Sequence, residues 1–186
     1  MASAWSKKRK VMRSYDSTAR IYDARYGDEQ EAKYRVALEN VKPKGTVLDV
    51  GCGSGLFFSH IVDEAEAMVG VDSSQDLLLE ARKRALGLQN VHLVKADADH
   101  LPFSEDFFDV VFAFAVLQNM PKPVDTLKEL GRVAKPDAPV VVTGLRKVFS
   151  ISALCDMIGN AGLHIVSIVD DALLKCYIVV TIKFSA

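Results

Sequence analysis

The chain has 186 residues, 49% apolar and 25% charged, with a formal net charge of −1. That length fits one folded unit with a full-sized core, and the near-zero charge excludes a molecule that binds nucleic acid through its overall field, leaving only a local patch open. Cys52, Cys155 and Cys176 form no close pair, which excludes a disulfide framework or zinc knuckle and points to a reducing cytosol; with no leader-like start and no apolar run long enough for a bilayer, the expectation is a cytoplasmic protein with no membrane partner and no metal.

Residues 7–13 carry Lys7, Lys8, Arg9, Lys10 and Arg13 and no acid. They read either as a solvated helix start or as a contact to phosphate, of RNA or of a phosphorylated substrate. Tyr15, Ala19, Tyr22 and Tyr26 follow at helical spacing and form one stripe. Gly27 reads as a helix stop, and Asp28 with Glu31 as a cap that opens a second helix to about Val41. Residues 1–41 are therefore expected to form an N-terminal helical cap on an α/β core at 46–186, the whole being one domain.

Strands and helices then alternate. The spacing predicts strands at Thr46–Val50, Ala67–Val71, Val91–Ala96, Asp109–Ala115 and Pro139–Thr143. Helices are expected at about Gly55 to Glu64, from Ser73 or Ser74 to Gly87 with Leu77, Leu78 and Leu79 inward, and at about Val124 to Ala134. A last helix runs from Ser150 or Ser152 to Gly162. Alternation of this kind implies a doubly wound parallel sheet. The closing runs Ile165–Val169 and Cys176–Lys183 are too close for a parallel crossover and are expected to pair as an antiparallel hairpin.

The first strand runs into Gly51-Cys52-Gly53-Ser54-Gly55. Strand, glycine turn and helix make a nucleotide site, because glycine lets a ligand lie on the main chain and the helix start points N–H groups at it. The dinucleotide fingerprint needs a glycine where this chain has Leu56, which argues against a nicotinamide-dependent oxidoreductase. Asp72 ends the second strand, about twenty residues on, where a carboxylate accepts from both ribose hydroxyls.

Asp49, two residues before the first glycine, completes a pattern that resembles motif I of the class I S-adenosylmethionine-dependent methyltransferases. The branch that is most similar is the broad quinone-biosynthesis-like group. The resemblance implies a seven-stranded Rossmann-like sheet of order 3-2-1-4-5-7-6, strand 7 antiparallel, with S-adenosyl-L-methionine as cofactor and S-adenosyl-L-homocysteine as product. It implies a cofactor site at Asp49, Gly51, Cys52, Gly53, Gly55, Asp72 and Ser73, with Asp97 and Ala98 at the adenine and the Phe114 main chain at the α-amino group. The repeated Tyr15-Asp16 and Tyr22-Asp23 resemble the family's pre-sheet helix, with Tyr22 expected over the methionine end. Lys135-Pro136-Asp137-Ala138 departs from the family's usual Lys-Pro-Gly-Gly.

No catalytic residue is assigned, since methyl transfer needs orientation first and a base only if the nucleophile must lose a proton. Gln118-Asn119-Met120-Pro121 is not the motif that binds amide or adenine nitrogens. Gln118 and Asn119 are read either as orienting amides or as helix caps. Gly144–Phe149 is too short for a substrate lid, so a pocket open on one side is expected, with Arg146 and Lys147 near its mouth. From this follows an RNA or protein acceptor, with or without an activator partner. The alternatives are a small-molecule acceptor covered by the N-terminal helices, and a cofactor-binding subunit without catalysis. The apolar strand at 91–96 would lie at a sheet edge, where a partner or a second copy could pair.

Overall fold

The computed structural model describes residues 4–184; the side chains of Ala4, Arg20 and Tyr22 lie outside the described residues. Two helices lead, α1 (Ala4–Thr18) and α2 (Tyr22–Asn40), joined by a tight turn at Ala19–Ile21. Then follow β1 (Thr46–Val50), α3 (Phe58–Ile61), β2 (Ala67–Asp72), α4 (Gln75–Arg84), β3 (Val91–Lys95) and β4 (Val110–Ala113). The chain continues through α5 (Pro123–Val133), β5 (Val140–Leu145), α6 (Ile151–Asn160), β6 (His164–Val169) and β7 (Cys176–Ile182).

The seven strands form one sheet in the order β3-β2-β1-β4-β5-β7-β6. The β1–β2, β1–β4, β2–β3 and β4–β5 pairs are parallel, while β7 runs antiparallel to both β5 and β6. This is the order the resemblance implies. It places the β1 glycine turn beside β4, where successive connections leave the sheet in opposite directions, which is where open α/β sheets bind ligands.

Alternation along the strands splits the core in two. Leu48, Val69, Val111 and Val140 pack on one face with Leu127, Leu130, Leu154 and Ile158 from α5 and α6. Val47, Met68, Val110 and Val141 pack on the other, with Tyr34 and Ala37 of α2, Phe58 and Ile61 of α3, and Leu78 and Ala81 of α4. Tyr34 is the tie between α2 and the sheet. Its ring lies 4.8 Å from Phe57 and 4.9 Å from Phe114, the latter edge-on, and such pairs contribute about 0.5–1.5 kcal/mol each beyond their burial.

Three expectations are corrected. Gly27 does not stop a helix and Asp28 does not cap one: both lie inside α2, and the break falls at Ala19–Ile21. An interior glycine costs only about 1 kcal/mol against alanine, and the burial of Tyr34 and Ala37 outweighs it. The helix expected over Gly55–Glu64 contracts to α3, Phe58–Ile61, with turns on either side, because Gly51, Gly53 and Gly55 all take positive φ and hold the preceding chain in a coil. Leu77 and Leu78 are buried but Leu79 is 47% exposed; three consecutive helical residues span too wide an arc to face one side.

β3 is an edge strand, as expected. Its apolar side chains are used within the sheet: Val91 and Leu93 pack on one core layer and Val94 on the other.

Candidate functional site

The glycine turn is held to β2 by its own main chain. Gly51 and Cys52 donate to the Val71 carbonyl at 2.7 and 3.0 Å. Gly51 has φ +73°, and a Cβ there would meet Val116 Cγ2 at 2.6 Å. Only glycine lets the β1 and β4 ends approach this closely.

Asp72 follows at the end of β2. Its carboxylate accepts from the Gly53 amide at 3.0 Å and the Ser74 amide at 2.8 Å. The Ser73 amide also faces the carboxylate, which with roughly four acceptor sites keeps room for a ligand. Burial raises its pKa and these N–H groups partly offset the rise. Beneath the turn, Asp49 is 2% exposed, and burial, with the Asp72 charge, pushes its carboxyl up to about 8.

Around the turn lies a cavity of about 280 Å³. Gly51, Gly53, Asp72 and Ser73 form one side, Asp97 and Ala98 the far end, and Phe114, Ala115 and Val116 the near wall. Its roof is α1, through Trp5, Lys8, Val11, Met12 and Tyr15.

The roof is clipped down by polar contacts. Lys8 donates to both Asp97 oxygens at 2.6 and 2.7 Å and also to Asp99. Burial pulls the Lys8 ammonium down, but these bonds outweigh it and hold its pKa above the ordinary value. Lys7 reaches the Met120 carbonyl at 3.0 Å. Asp16 accepts from the Ser74 hydroxyl and Asp23 from the Ser54 hydroxyl, with Arg84 on Asp23 at 2.6 Å. Of the five basic head residues, Lys8 is thus turned inward to hold α1, and Lys7, still exposed, adds a tether.

A second cavity, about 770 Å³, adjoins the first and shares Tyr15, Ala115 and Asn119 with it. Its other walls come from α2, from the segment 145–148 after β5, and from Lys175. At the shared wall the Asn119 amide donates to the Tyr15 hydroxyl and the Ala115 carbonyl, both at 3.1 Å. Gln118 also donates to the Ala115 carbonyl, at 2.7 Å. Both amides therefore cap the β4 end. The N-cap position of α5 is Lys122, which makes no side-chain cap.

The methyltransferase-domain family matches residues 48–142 of the chain, more than half its length. The chain belongs to that family. That family is the class I S-adenosylmethionine-dependent methyltransferases. A demethylmenaquinone methyltransferase of Staphylococcus saprophyticus is 33% identical over 150 residues, covering 76% of this chain and 64% of that protein. A phosphatidylethanolamine N-methyltransferase of Cereibacter sphaeroides is 35% identical over 139 residues, covering 71% and 66%. The chain thus spans about two thirds of the length of these relatives. The DhpI–SAH complex superposes with a TM-score of 0.81 at 18% identity, covering 99% of this chain and 100% of DhpI, a likeness of fold.

The methyltransferase brings seven of its expected site residues to the first cavity: Gly51, Gly53, Asp72, Ser73, Asp97, Ala98 and Phe114. Asp49, Cys52 and Gly55 do not line it. Asp49 and Cys52 are buried below the turn, and burial pushes the Cys52 thiol well up, out of nucleophilic use. Gly55 faces Phe58, where a Cβ would sit 2.4 Å from the ring. The expectation for Tyr22 lies outside the described residues. It is Tyr15, of the first Tyr-Asp pair, that lines both cavities.

Two features were not foreseen. Ala115 takes φ +57° without being glycine, and Thr143 Oγ1 fixes it by accepting its amide at 2.7 Å. Nothing in an Ala-Val pair after a strand signals such a turn. The Lys8–Asp97–Asp99 clip joins residues some ninety positions apart, beyond the reach of local pattern. Arg146 and Lys147 do line the second cavity.

Proposed function

We propose that this methyltransferase holds the methyl donor in the first cavity and methylates a small molecule that enters the second. The observation that carries the reading is the shared wall of Tyr15, Ala115 and Asn119 beneath α1. Two cavities meet at one point, and α1, fastened by Lys8 and Asp16, covers that point, with the start of α2 held beside it through Asp23. The segment after β5 is short, as expected, but α1 and α2 supply the cover that a lid there would give. An RNA or protein acceptor would have to reach past these helices.

S-adenosylmethionine supplies an electrophilic methyl: its S–CH₃ bond breaks as one to the acceptor heteroatom forms, and a neutral thioether leaves. The chain's residues bind and orient. Asp72, oriented by the Gly53 and Ser74 amides, accepts from the ribose hydroxyls, and Gly51 allows close approach of the main chain. Asp97 and Ala98 border the adenine end. Burial raises the pKa of Tyr15, so its phenol orients by hydrogen bonding and does not act as a base. Asn119, bonded to Tyr15 and Ala115, keeps that hydroxyl at the junction of the cavities.

The test uses methyl-tritiated S-adenosylmethionine with a fractionated extract and an Asp72→Ala control. Label that depends on Asp72 is expected in the small-molecule pool. Asp72-dependent label in RNA or protein would overturn the small-molecule reading.

A further inference from the structure

The second cavity has an unbalanced wall. Arg25, Lys33, Arg146, Lys147 and Lys175 line it against a single acid, Glu29, in a chain whose net charge is −1. Two of these cations are already occupied. Arg146 pairs with Asp170 at 2.6 Å, donates to the Asp171 and Leu174 carbonyls, and lies over the Tyr177 ring. Lys175 is held by Glu29 at 2.8 Å.

Lys33 is different. It is 3% exposed, and among the described residues Glu29, at 2.7 Å, is its one hydrogen-bond partner. An ammonium carries three N–H donors, and a buried charge is costly unless its donors are filled. Glu29 divides its charge between Lys33 and Lys175, so it does not neutralise the wall. Arg25 and Lys147, both exposed, add charge on the same cavity.

Resting on the small-molecule reading above, we propose that the acceptor is an organic anion whose carboxylate or phosphate is held by Lys33, with Arg25 and Lys147 at the rim. Lys33 is too deeply buried for a polyanion lying on the surface, so the charged group must be a terminal one that enters the cavity. The other end of the acceptor then lies at the shared wall. Next to that wall, on the second cavity, Gln118 Oε1 is buried and has no hydrogen-bond partner among the described residues. It accepts from an O–H or N–H, so the methylated atom is an oxygen or nitrogen that carries a proton. That proton passes to solvent as the methyl arrives.

The experiment titrates the complex with S-adenosylhomocysteine, by calorimetry, with benzoate, phenyl phosphate and neutral benzamide. At least one of the two anions is expected to bind at least tenfold more tightly than benzamide, and their order tells carboxylate from phosphate. Lys33→Met should remove that advantage. The Arg25→Gln/Lys147→Gln pair, at exposed positions, should reduce it severalfold. Anions that bind no better than benzamide, or fail to bind, overturn the proposal, as does an advantage that survives both variants. S-adenosylhomocysteine binding itself is expected in all three proteins; its absence from the unmodified chain would overturn the donor-cavity reading instead.

Discussion

Asp49 is a carboxyl under the glycine turn whose charge the fold suppresses, and Asp49→Asn tests that directly. The pKa rises from 3.8 to about 8, mainly through burial and secondarily through Asp72. Below 3.8 the folded and unfolded chains both hold the proton. Between 3.8 and about 8 the folded chain keeps a proton that the unfolded chain has released, so stability falls as pH rises, by about 1.4 kcal/mol per pH unit. Above about 8 both states are ionised and the slope disappears. Asn cannot ionise, so the variant lacks this slope, and the gap between the proteins widens by about 3 kcal/mol from pH 5 to 7. In thermal terms this is roughly 3–6 °C per pH unit for a chain of this size. Asp72 is also raised and adds a slope of the same sign, but it remains in both proteins. Glu29, Asp109 and Glu129 are lowered, and their stabilisation is lost only as pH falls through their folded values, outside the window. Urea unfolding at pH 5, 6, 7 and 8 reads the difference. A gap constant across that range would refute the reasoning, since Asp49 would then ionise in the ordinary carboxylate range. The functional corollary is that a neutral Asp49 adds no second negative charge beneath Asp72.

Lys8→Met should lower stability by about 1–2 kcal/mol, since Asp97 and Asp99 lose a charged donor, and should speed amide exchange across 4–18 while leaving β1 and β4 protected; unchanged exchange there would mean the clip does not hold α1. Ala115→Gly should stabilise the fold by up to about 1 kcal/mol, because glycine meets no Cβ clash at positive φ, whereas Thr143→Val should cost about 1 kcal/mol by orphaning the Ala115 amide; urea midpoints decide both. Gly51→Ala drives a Cβ to 2.6 Å from Val116 Cγ2 at φ +73°, so it should destabilise by about 2 kcal/mol or more and weaken S-adenosylhomocysteine binding at least tenfold by calorimetry.

Most of the sheet was readable because its signals are local. Strand ends are marked by Gly51, Asp72 and Asp97, and the hairpin by the short gap before Cys176. The order of strands was not local information; it came with the resemblance carried by the glycine turn. Where local signals misled, tertiary burial had the larger energy. Gly27 reads as a stop, yet it stays helical because α2 is anchored on its C-terminal side by Tyr34 and Ala37. Ala115 shows the opposite limit. Its left-handed turn is imposed by Thr143 on a different strand, and no nearby residue announces it.

The N-terminal helices illustrate how much a weak pattern can carry once its partners are known. Tyr15-Asp16 and Tyr22-Asp23 repeat at seven residues, one pair on α1 and the other at the start of α2. Asp16 meets Ser74, the N-cap of α4, and Asp23 meets Arg84, its last residue. The two carboxylates therefore hold both ends of the helix against which α1 and the Ala19–Ile21 turn are packed. Asp23 also takes the Ser54 hydroxyl, inside the glycine turn. The two clips thus set the cover along α4, tie it to the ligand loop, and leave Tyr15 over the junction of the cavities. A residue added between Asp16 and Asp23 falls at the Ala19–Ile21 turn that joins α1 to α2 and shifts one carboxylate against the other, so that only one clip could form. On this account such an insertion should loosen the roof as much as Lys8→Met does, though it removes no contact residue.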